Sequence, residues 1–242
     1  LILSVLKSIC SEKLFVELGD KLLERRDSRD FTEKISGTQV KSNVDDYANK
    51  IITKFLKSLT PDIPIVSEEN LSSHRMINYK KYWLLDPLDG TASFCNGFSG
   101  FVIQMALIQS SKPVQSIVYS PFFKQTFLAE INSGAFINNK KIFLNKNQKK
   151  TILIDNYPLP TGYSNFIFEN INCDEYIEMG SFGLKMCRIA DNSANLFVKN
   201  VFFKDWDIAP GHLIVEEAGG IVTDLAGKSI NYKNGFNKNK GL

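Results

Sequence analysis

The chain has 242 residues, of which 43% are hydrophobic and 23% are charged. This composition is typical of a soluble globular protein and excludes disordered, collagen-like and coiled-coil chains. Its 29 Lys and Arg residues nearly balance its 26 Asp and Glu residues, so the charge indicates neither a nucleic-acid polymer nor a membrane surface as partner. No apolar run reaches the roughly 18 residues of a membrane-spanning helix, and we expect no transmembrane segment.

Helical spacing of apolar residues predicts two helices early in the chain, over Leu1–Leu23 and Val44–Leu59. The charged stretch Arg25–Ser36 between them is typical of a loop or a hairpin. Short apolar runs separated by turn residues then predict a series of strands. These strands are Ile63–Val66, Tyr82–Leu85, Gly100–Gln109, Val114–Tyr119, Gln125–Ile131 and Ala135–Ile137.

The basic, polar stretch Lys140–Lys150 predicts a boundary between two halves of one compact unit, residues 1–139 and 140–242. Beyond it the pattern predicts strands and helices in alternation. These are a strand at Thr151–Ile154, a helix at Gly180–Ala190, a strand-like segment at Asn195–Val198, a helix at Asp207–Ala218 and a strand at Ile221–Asp224. Because strands and helices mix in both halves, we expect an α/β (α+β) fold.

The cysteines predict free thiols rather than a metal site or a disulfide framework. Cys10, Cys95, Cys173 and Cys187 form no Cys-x-x-Cys pair, and the chain has only two histidines. A zinc site built from this set is improbable, and a chain of this length needs no disulfides for stability. We therefore expect a reducing compartment, the cytoplasm.

Acidic residues collect where two of the predicted strands end. Ile63–Val66 leads into Glu68 and Glu69, and Tyr82–Leu85 leads into the sequence Asp-Pro-Leu-Asp-Gly-Thr at residues 86–91. Carboxylate and carbonyl oxygens are the ligands that Mg²⁺ prefers, and this group could hold two ions about 4 Å apart. The chain has neither a Walker A loop nor a Gly-x-Gly-x-x-Gly finger, which excludes nucleotide binding by those motifs.

Each of these residues also has an ordinary structural interpretation. An Asp at a strand end is usually a turn former or a helix cap, and adjacent glutamates are usually solvated. Trp83 and Trp206 are typical core residues, and the more common role of a histidine such as His212 is packing within a helix. The joint pattern, rather than any single residue, favours a site.

Three motifs resemble those of the inositol monophosphatase superfamily. Trp83–Thr91 (WLLDPLDGT) resembles its first signature, and Trp206–His212 (WDIAPGH), followed by Glu216 and Ala218–Gly220, resembles its second. Pro64–Glu69 resembles the family's glutamate motif, and the three occur in the family's order and spacing. Leu59–Pro64 and Gly180–Cys187 are most similar to the CysQ-like 3'(2'),5'-bisphosphate nucleotidase branch.

The resemblance implies a layered α-β-α-β-α sandwich and a Mg²⁺-dependent, lithium-sensitive phosphomonoesterase with two or three ions. The implied metal ligands are Glu68, Asp86, the Leu88 carbonyl, Asp89 and Asp207. Glu68 and Thr91 would orient the attacking water, with Asp45 as a second candidate. The implied substrate-binding residues are Gly90, Thr91, Ser181, Lys185 and Asp207.

The implied reaction is hydrolysis of the 3'-phosphate of adenosine 3',5'-bisphosphate by a monomer or homodimer that takes small phosphorylated substrates. Three segments depart from the nucleotidase pattern, Ala92–Phe94, Gly97–Phe101 and Asp155–Tyr157, and all lie on the substrate side. An inositol monophosphatase or another sugar-phosphate phosphatase is therefore the alternative. A non-catalytic metal- or phosphate-binding relative is the alternative of another class, and the complete carboxylate set argues against it.

Overall fold

The computed structural model describes residues 14–36, 39–75, 79–233, 236–238 and 241–242. Helix α1 (Leu14–Asp27) is followed by the antiparallel hairpin β1 (Glu33–Ser36) and β2 (Gln39–Ser42), and then by helix α2 (Asn43–Leu59). The predicted hairpin exists but lies later than Arg25–Ser36, because α1 continues to Asp27. The predicted first helix is confirmed from residue 14 onward, and residues 1–13 lie outside the described part, as does Cys10.

A seven-stranded sheet forms the central layer, and its spatial order follows the chain. Its strands are β3 (Ile65–Ser67), β4 (Lys81–Asp89), β5 (Val102–Gln109), β6 (Lys112–Ser120), β7 (Gln125–Glu130), β8 (Gly134–Ile137) and β9 (Lys140–Ile142). β3 pairs with β4 in parallel, and every other pair is antiparallel. A 3-10 turn (Leu71–Arg75) follows β3, and the short helix α3 (Thr91–Cys95) follows β4.

The second part of the chain adds helices and short strands. They are β10 (Ile152–Asp155), α4 (Tyr163–Asn170), β11 (Glu175–Glu178), α5 (Phe182–Ala190), β12 (Phe203–Lys204), α6 (Asp205–Glu217) and β13 (Asn237–Lys238). β10 and β11 form a small parallel sheet, and β12 pairs with β13. Among the described residues no helix has the length and apolar character needed to cross a bilayer.

Both faces of the central sheet are covered, which explains its long uninterrupted apolar runs. On one face Leu22 of α1 and Ile52 of α2 pack with Trp83. On the other face Leu213 of α6 packs with Leu84, the residue next to Trp83. The small sheet packs against α5, and α4 contacts that sheet in turn through Phe168 and Tyr176. The α/β class and the layered sandwich are therefore confirmed.

Several predicted segments differ in the structure. Strand β4 does not stop at Leu85 but continues to Asp89. Of Asn195–Val198, only Leu196 forms a bridge, with Leu153. Ile221–Asp224 is not a strand: Ile221 is 86% exposed, and the segment forms an isolated bridge between Thr223 and Ser229. Lys140–Ile142 pairs with β8, so the central sheet ends just beyond the predicted boundary.

Candidate functional site

Three carboxylates from separate elements meet at one edge of the central sheet. Glu68 follows β3, Asp86 lies in β4, and Asp207 lies in the first turn of α6. One carboxylate oxygen from each lies within 4.8 Å of the others. The parallel pairing of β3 and β4 brings Glu68 and Asp86 together, because the carboxyl ends of parallel strands share an edge. No described Lys, Arg or His forms an ion pair with any of the three.

Burial and mutual repulsion make this cluster unfavourable as a set of free anions. Burial raises the pKa of Asp86 and of Asp207 well above the usual range, and the neighbouring carboxylates raise both pKa values further. Burial and then Glu69 raise the pKa of Glu68 to about 7. A bound cation would remove both penalties.

The donor set fits a hard divalent cation. Mg²⁺ takes oxygen ligands and is commonly bound through one or two carboxylates together with water and substrate phosphate. The cluster supplies carboxylate oxygens alone, with no sulfur or imidazole ligand. Such a donor set favours Mg²⁺ over zinc.

Asp89 lies close to the cluster, but one of its carboxylate oxygens is hydrogen-bonded at the start of α5. The pairing of β4 with β5 is irregular between Asp86 and Asp89, which marks a β-bulge. Asp89 Oδ2 accepts hydrogen bonds from Ser181 Oγ at 2.5 Å and from the Gly183 amide at 2.9 Å. One oxygen thus caps the start of α5, and burial raises the pKa of the carboxyl group.

Asp45 and Thr91 form a second hydrogen-bonded unit beside the acidic cluster. Asp45 Oδ2 accepts hydrogen bonds from the Ser42 amide (2.8 Å) and hydroxyl (2.6 Å), in a capping box that begins α2. Thr91 Oγ1 lies 2.8 Å from Asp45 Oδ1 and 3.0 Å from the Leu88 carbonyl oxygen. Gly90, at φ +90°, turns the chain into α3, so that Thr91 is its first residue.

Ser181 and Lys185, expected on the substrate side, are both buried. The Ser181 hydroxyl donates to Asp89 and accepts from the Leu184 amide at 2.9 Å, so it joins Asp89 to α5. Lys185 Nζ donates to the Gly180 carbonyl at 2.7 Å and to Asn156 Oδ1. Burial, together with nearby Lys199, lowers the pKa of Lys185 to about 7.

Other residues that the sequence singled out are structural in this fold. His212 is buried in α6, where its ring contacts Tyr232 Oη at 2.8 Å and Glu216 at 3.2 Å. Trp83 and Trp206 are core residues, as expected. The three described cysteines are free and buried.

Comparison with known proteins identifies the family. The model of the inositol monophosphatase family matches residues 4–240. The chain belongs to this family. The 3'(2'),5'-bisphosphate nucleotidase CysQ of Buchnera aphidicola subsp. Acyrthosiphon pisum is 34% identical over 196 residues, which cover 79% of this chain and 73% of the relative. Nus factor SuhB of Vibrio cholerae is 33% identical over 218 residues, with 86% and 79% covered.

A solved structure supports the same assignment. The IMPase of Thermotoga maritima has a TM-score of 0.80 and 26% identity, with 97% of this chain and 92% of that chain covered. The protein is thus an inositol monophosphatase-family phosphatase, and the relatives differ in their named activities.

Two polar features of this family member were not predicted. Gln104 lies inside the predicted strand Gly100–Gln109, and a polar residue within a buried strand is itself a signal. Lys41 Nζ lies 2.9 Å from both Glu69 oxygens, which ties β2 to the segment after β3. Glu69 is therefore paired rather than solvated.

Proposed function

We propose that the protein is a Mg²⁺-dependent phosphomonoesterase that hydrolyses the 3'-phosphate of adenosine 3',5'-bisphosphate. Water would supply the oxygen of the new P–O bond, the bond from phosphorus to the ribose 3'-oxygen would break, and the products would be AMP and phosphate. The observation that carries the proposal is that one carboxylate oxygen from each of Glu68, Asp86 and Asp207 lies within 4.8 Å of the others, and that no described Lys, Arg or His forms an ion pair with them.

Each acidic residue has a proposed part in binding two or three ions. Glu68, Asp86, Asp207, Asp89 and the Leu88 carbonyl would hold them. When bound there, Mg²⁺ would neutralise the phosphate dianion and lower the pKa of a bound water. The acidic residues themselves would fix the positions of the bound ions.

The Asp45–Thr91 pair supplies a route for the proton of the attacking water. When the Thr91 hydroxyl donates its proton to Asp45, its oxygen is free to accept a hydrogen bond from water. Glu68, whose pKa is raised to about 7, would orient the same water from the other side. The amides of Gly90 and Thr91 would contact the phosphate.

The substrate preference rests on the second half of the chain. Lys185 is a buried amine near Asp89, and its Nζ atom is held by carbonyl and amide oxygens rather than by a carboxylate. A second anionic group on the substrate, as in a nucleoside bisphosphate, would pair with the protonated form of this amine. Similarity to the nucleotidase CysQ supports this choice.

A second candidate is the same chemistry on inositol 1-phosphate or a sugar bisphosphate. The departures in residues 92–94, 97–101 and 155–157 favour it, because they lie on the proposed substrate side. A non-catalytic role is the candidate of another class, and similarity to a relative named as a Nus factor supports it. We further propose a cytoplasmic, lithium-sensitive monomer or homodimer built from the halves 1–139 and 140–242.

Phosphate release from adenosine 3',5'-bisphosphate, inositol 1-phosphate and fructose 1,6-bisphosphate, with and without Mg²⁺, tests the proposal. We expect Mg²⁺-dependent release with the nucleotide preferred. Asp86→Asn and Asp207→Asn should each lose at least about 100-fold in rate, because changing even the outer-shell partners of metal ligands typically costs about 10–100-fold.

Asp174→Asn is the matched control. Asp174 also accepts a backbone hydrogen bond, from the Thr151 amide at 2.7 Å, but it lies at the other end of β11 from the site. This variant should keep its activity. Release without Mg²⁺, or full activity in Asp207→Asn, would contradict the metal assignment, and preference for another substrate would move the protein to the second candidate.

A further inference from the structure

Gln104 is a fully buried polar residue in a strand whose other buried residues are all apolar. It lies in β5 directly opposite Asp86 of β4. Its Nε2 atom is 3.1 Å from Asp89 Oδ2, 3.0 Å from the Trp206 carbonyl oxygen and 3.2 Å from the Asp207 carbonyl oxygen. All three neighbours accept hydrogen bonds, so the amide nitrogen must face them.

The contact with Trp206 compensates for a defect in α6. In a helix the carbonyl of residue 206 accepts from the amide of residue 210, but residue 210 is proline and has no N–H. Gln104 supplies the missing donor from the neighbouring strand. The first turn of α6, which carries Asp207, is thereby fixed to β5.

The other end of the Gln104 side-chain amide, the Oε1 atom, lies in an unfavourable environment. Oε1 is buried and has no hydrogen-bond partner among the residues that the structure describes. A Cβ atom at Gly183 would lie only 1.9 Å from Oε1, so a glycine at this position in α5 is needed to make room. The Gly183 amide donates to the same Asp89 oxygen that Gln104 contacts. A buried unpaired acceptor is unfavourable, so its presence indicates that the donor end is needed.

The geometry points to Gln104 as a positioning residue that holds Asp89 and the first turn of α6 together, so that Asp89 and Asp207 face one metal site. This inference rests on the proposed function. Gln104 touches neither metal nor substrate in this assignment. It acts by linking two acidic residues that lie more than 100 positions apart in the sequence.

The test replaces Gln104 by methionine, which keeps the length of the side chain and removes its hydrogen bonds. Two quantities are measured across a Mg²⁺ titration: the rate of phosphate release and the temperature of unfolding without substrate. We expect the half-saturating Mg²⁺ concentration of Gln104→Met to rise about tenfold or more in both measurements. The second readout requires no turnover.

Gln115→Met is the matched control. Gln115 is also buried, lies in the adjacent strand β6 and donates to Glu130 at 3.1 Å, and its Oε1 likewise has no partner within the described part of the chain. It should lower the unfolding temperature without changing the half-saturating Mg²⁺ concentration. If Gln104→Met does not fold, Gln104→Asn, which is one methylene shorter, should change the Mg²⁺ dependence in the same direction.

The outcomes separate this inference from the function on which it rests. A wild-type protein with neither Mg²⁺-dependent phosphate release nor stabilisation by Mg²⁺ would overturn the proposed function, and the role of Gln104 with it. A responsive wild type whose Gln104→Met variant matches Gln115→Met in Mg²⁺ dependence would overturn only the role of Gln104.

Discussion

At the scale of single residues, the site is built from side chains that each serve two partners. The Thr91 hydroxyl has one proton but lies near two acceptors, Asp45 Oδ1 and the Leu88 carbonyl. Asp45 in turn accepts two hydrogen bonds from Ser42. The local capping of α2 therefore fixes the acceptor that orients Thr91, and a helix start becomes part of the candidate catalytic machinery.

Replacing Thr91 by valine should separate proton handling from metal binding. Valine nearly preserves the shape but removes the hydroxyl, so we expect kcat to fall about 100-fold, a typical loss for proton-transfer catalysis. The half-saturating Mg²⁺ concentration should change little, because the acidic ligands remain. Steady-state kinetics across a Mg²⁺ titration measures both quantities.

Thr53→Val is the control for that prediction. Thr53 Oγ1 donates within α2, to the Asn49 carbonyl at 2.6 Å and the Lys50 carbonyl at 3.3 Å, and should tolerate the change with kcat near that of the wild type. Equal kcat values for Thr91→Val and the wild type would remove Thr91 from the proposed proton route.

At the scale of elements, helix α5 is attached to the central sheet by a close backbone approach. The Ser181 amide donates to the Gly100 carbonyl at 2.9 Å. A Cβ atom at Gly180 would lie 2.1 Å from Ser93 Oγ and 2.4 Å from the Gly100 oxygen, so only glycine permits the approach. The next residue, Ser181, contacts Asp89, and the packing of α5 therefore bears directly on the site.

Gly180→Ala should consequently impair both stability and activity. We expect a loss of about 2 kcal/mol in the free energy of unfolding, within the usual range for overpacking. Phosphate release should also fall, because α5 must move away from Asp89. Chemical denaturation and an activity assay on the same sample provide the two measurements.

Gly227→Ala is the control that measures the effect of backbone strain alone. Gly227 has φ +74° and no atom within 4 Å of an added Cβ, so alanine there should cost about 1 kcal/mol and leave the activity unchanged. The prediction for Gly180 fails if its alanine variant is no less active than that of Gly227.

The elements also show which parts of the fold could be predicted from the sequence. Strands β4 and β5 were predicted because they are buried on both faces and give long apolar runs, and β6 to β8 were predicted from shorter apolar runs between turn residues. Segments whose structure depends on residues far away in the sequence were not predicted correctly. Asn195–Val198 was predicted as strand-like but makes a single bridge, and the short polar strand β11, which pairs with β10, was not predicted.

The same distinction holds within the candidate site. Glu68 and Asp86 could be paired from the sequence, since each follows or ends an apolar run. The link between Gln104 and the carbonyl of Trp206 depends on the packing of α6 against β5, which no local pattern contains.

At the scale of the whole molecule, the buried acidic residues connect stability to pH. Burial raises the folded-state pKa of Glu68 to about 7, from about 4.5 in the unfolded chain. Between these values the folded protein binds more protons than the unfolded chain, so its stability falls as pH rises. The lowered pKa values of Asp155 and Glu216 make the stability depend on pH below this range. The lowered pKa of Lys185 makes the stability depend on pH only above about pH 7.

We therefore expect the metal-free protein to lose stability between pH 5 and pH 7, and Mg²⁺ to restore more of it at pH 7 than at pH 5. The reason is that ionised carboxylates bind the cation, whereas protonated ones do not. Thermal unfolding in EDTA and in saturating Mg²⁺ measures the difference at each pH. Asp207→Asn should reduce both the loss of stability with rising pH and the pH dependence of the stabilisation by Mg²⁺, because it removes one buried charge and one ligand. A Mg²⁺ increment that is the same at pH 5 and pH 7 would show that the cation binds away from these carboxylates.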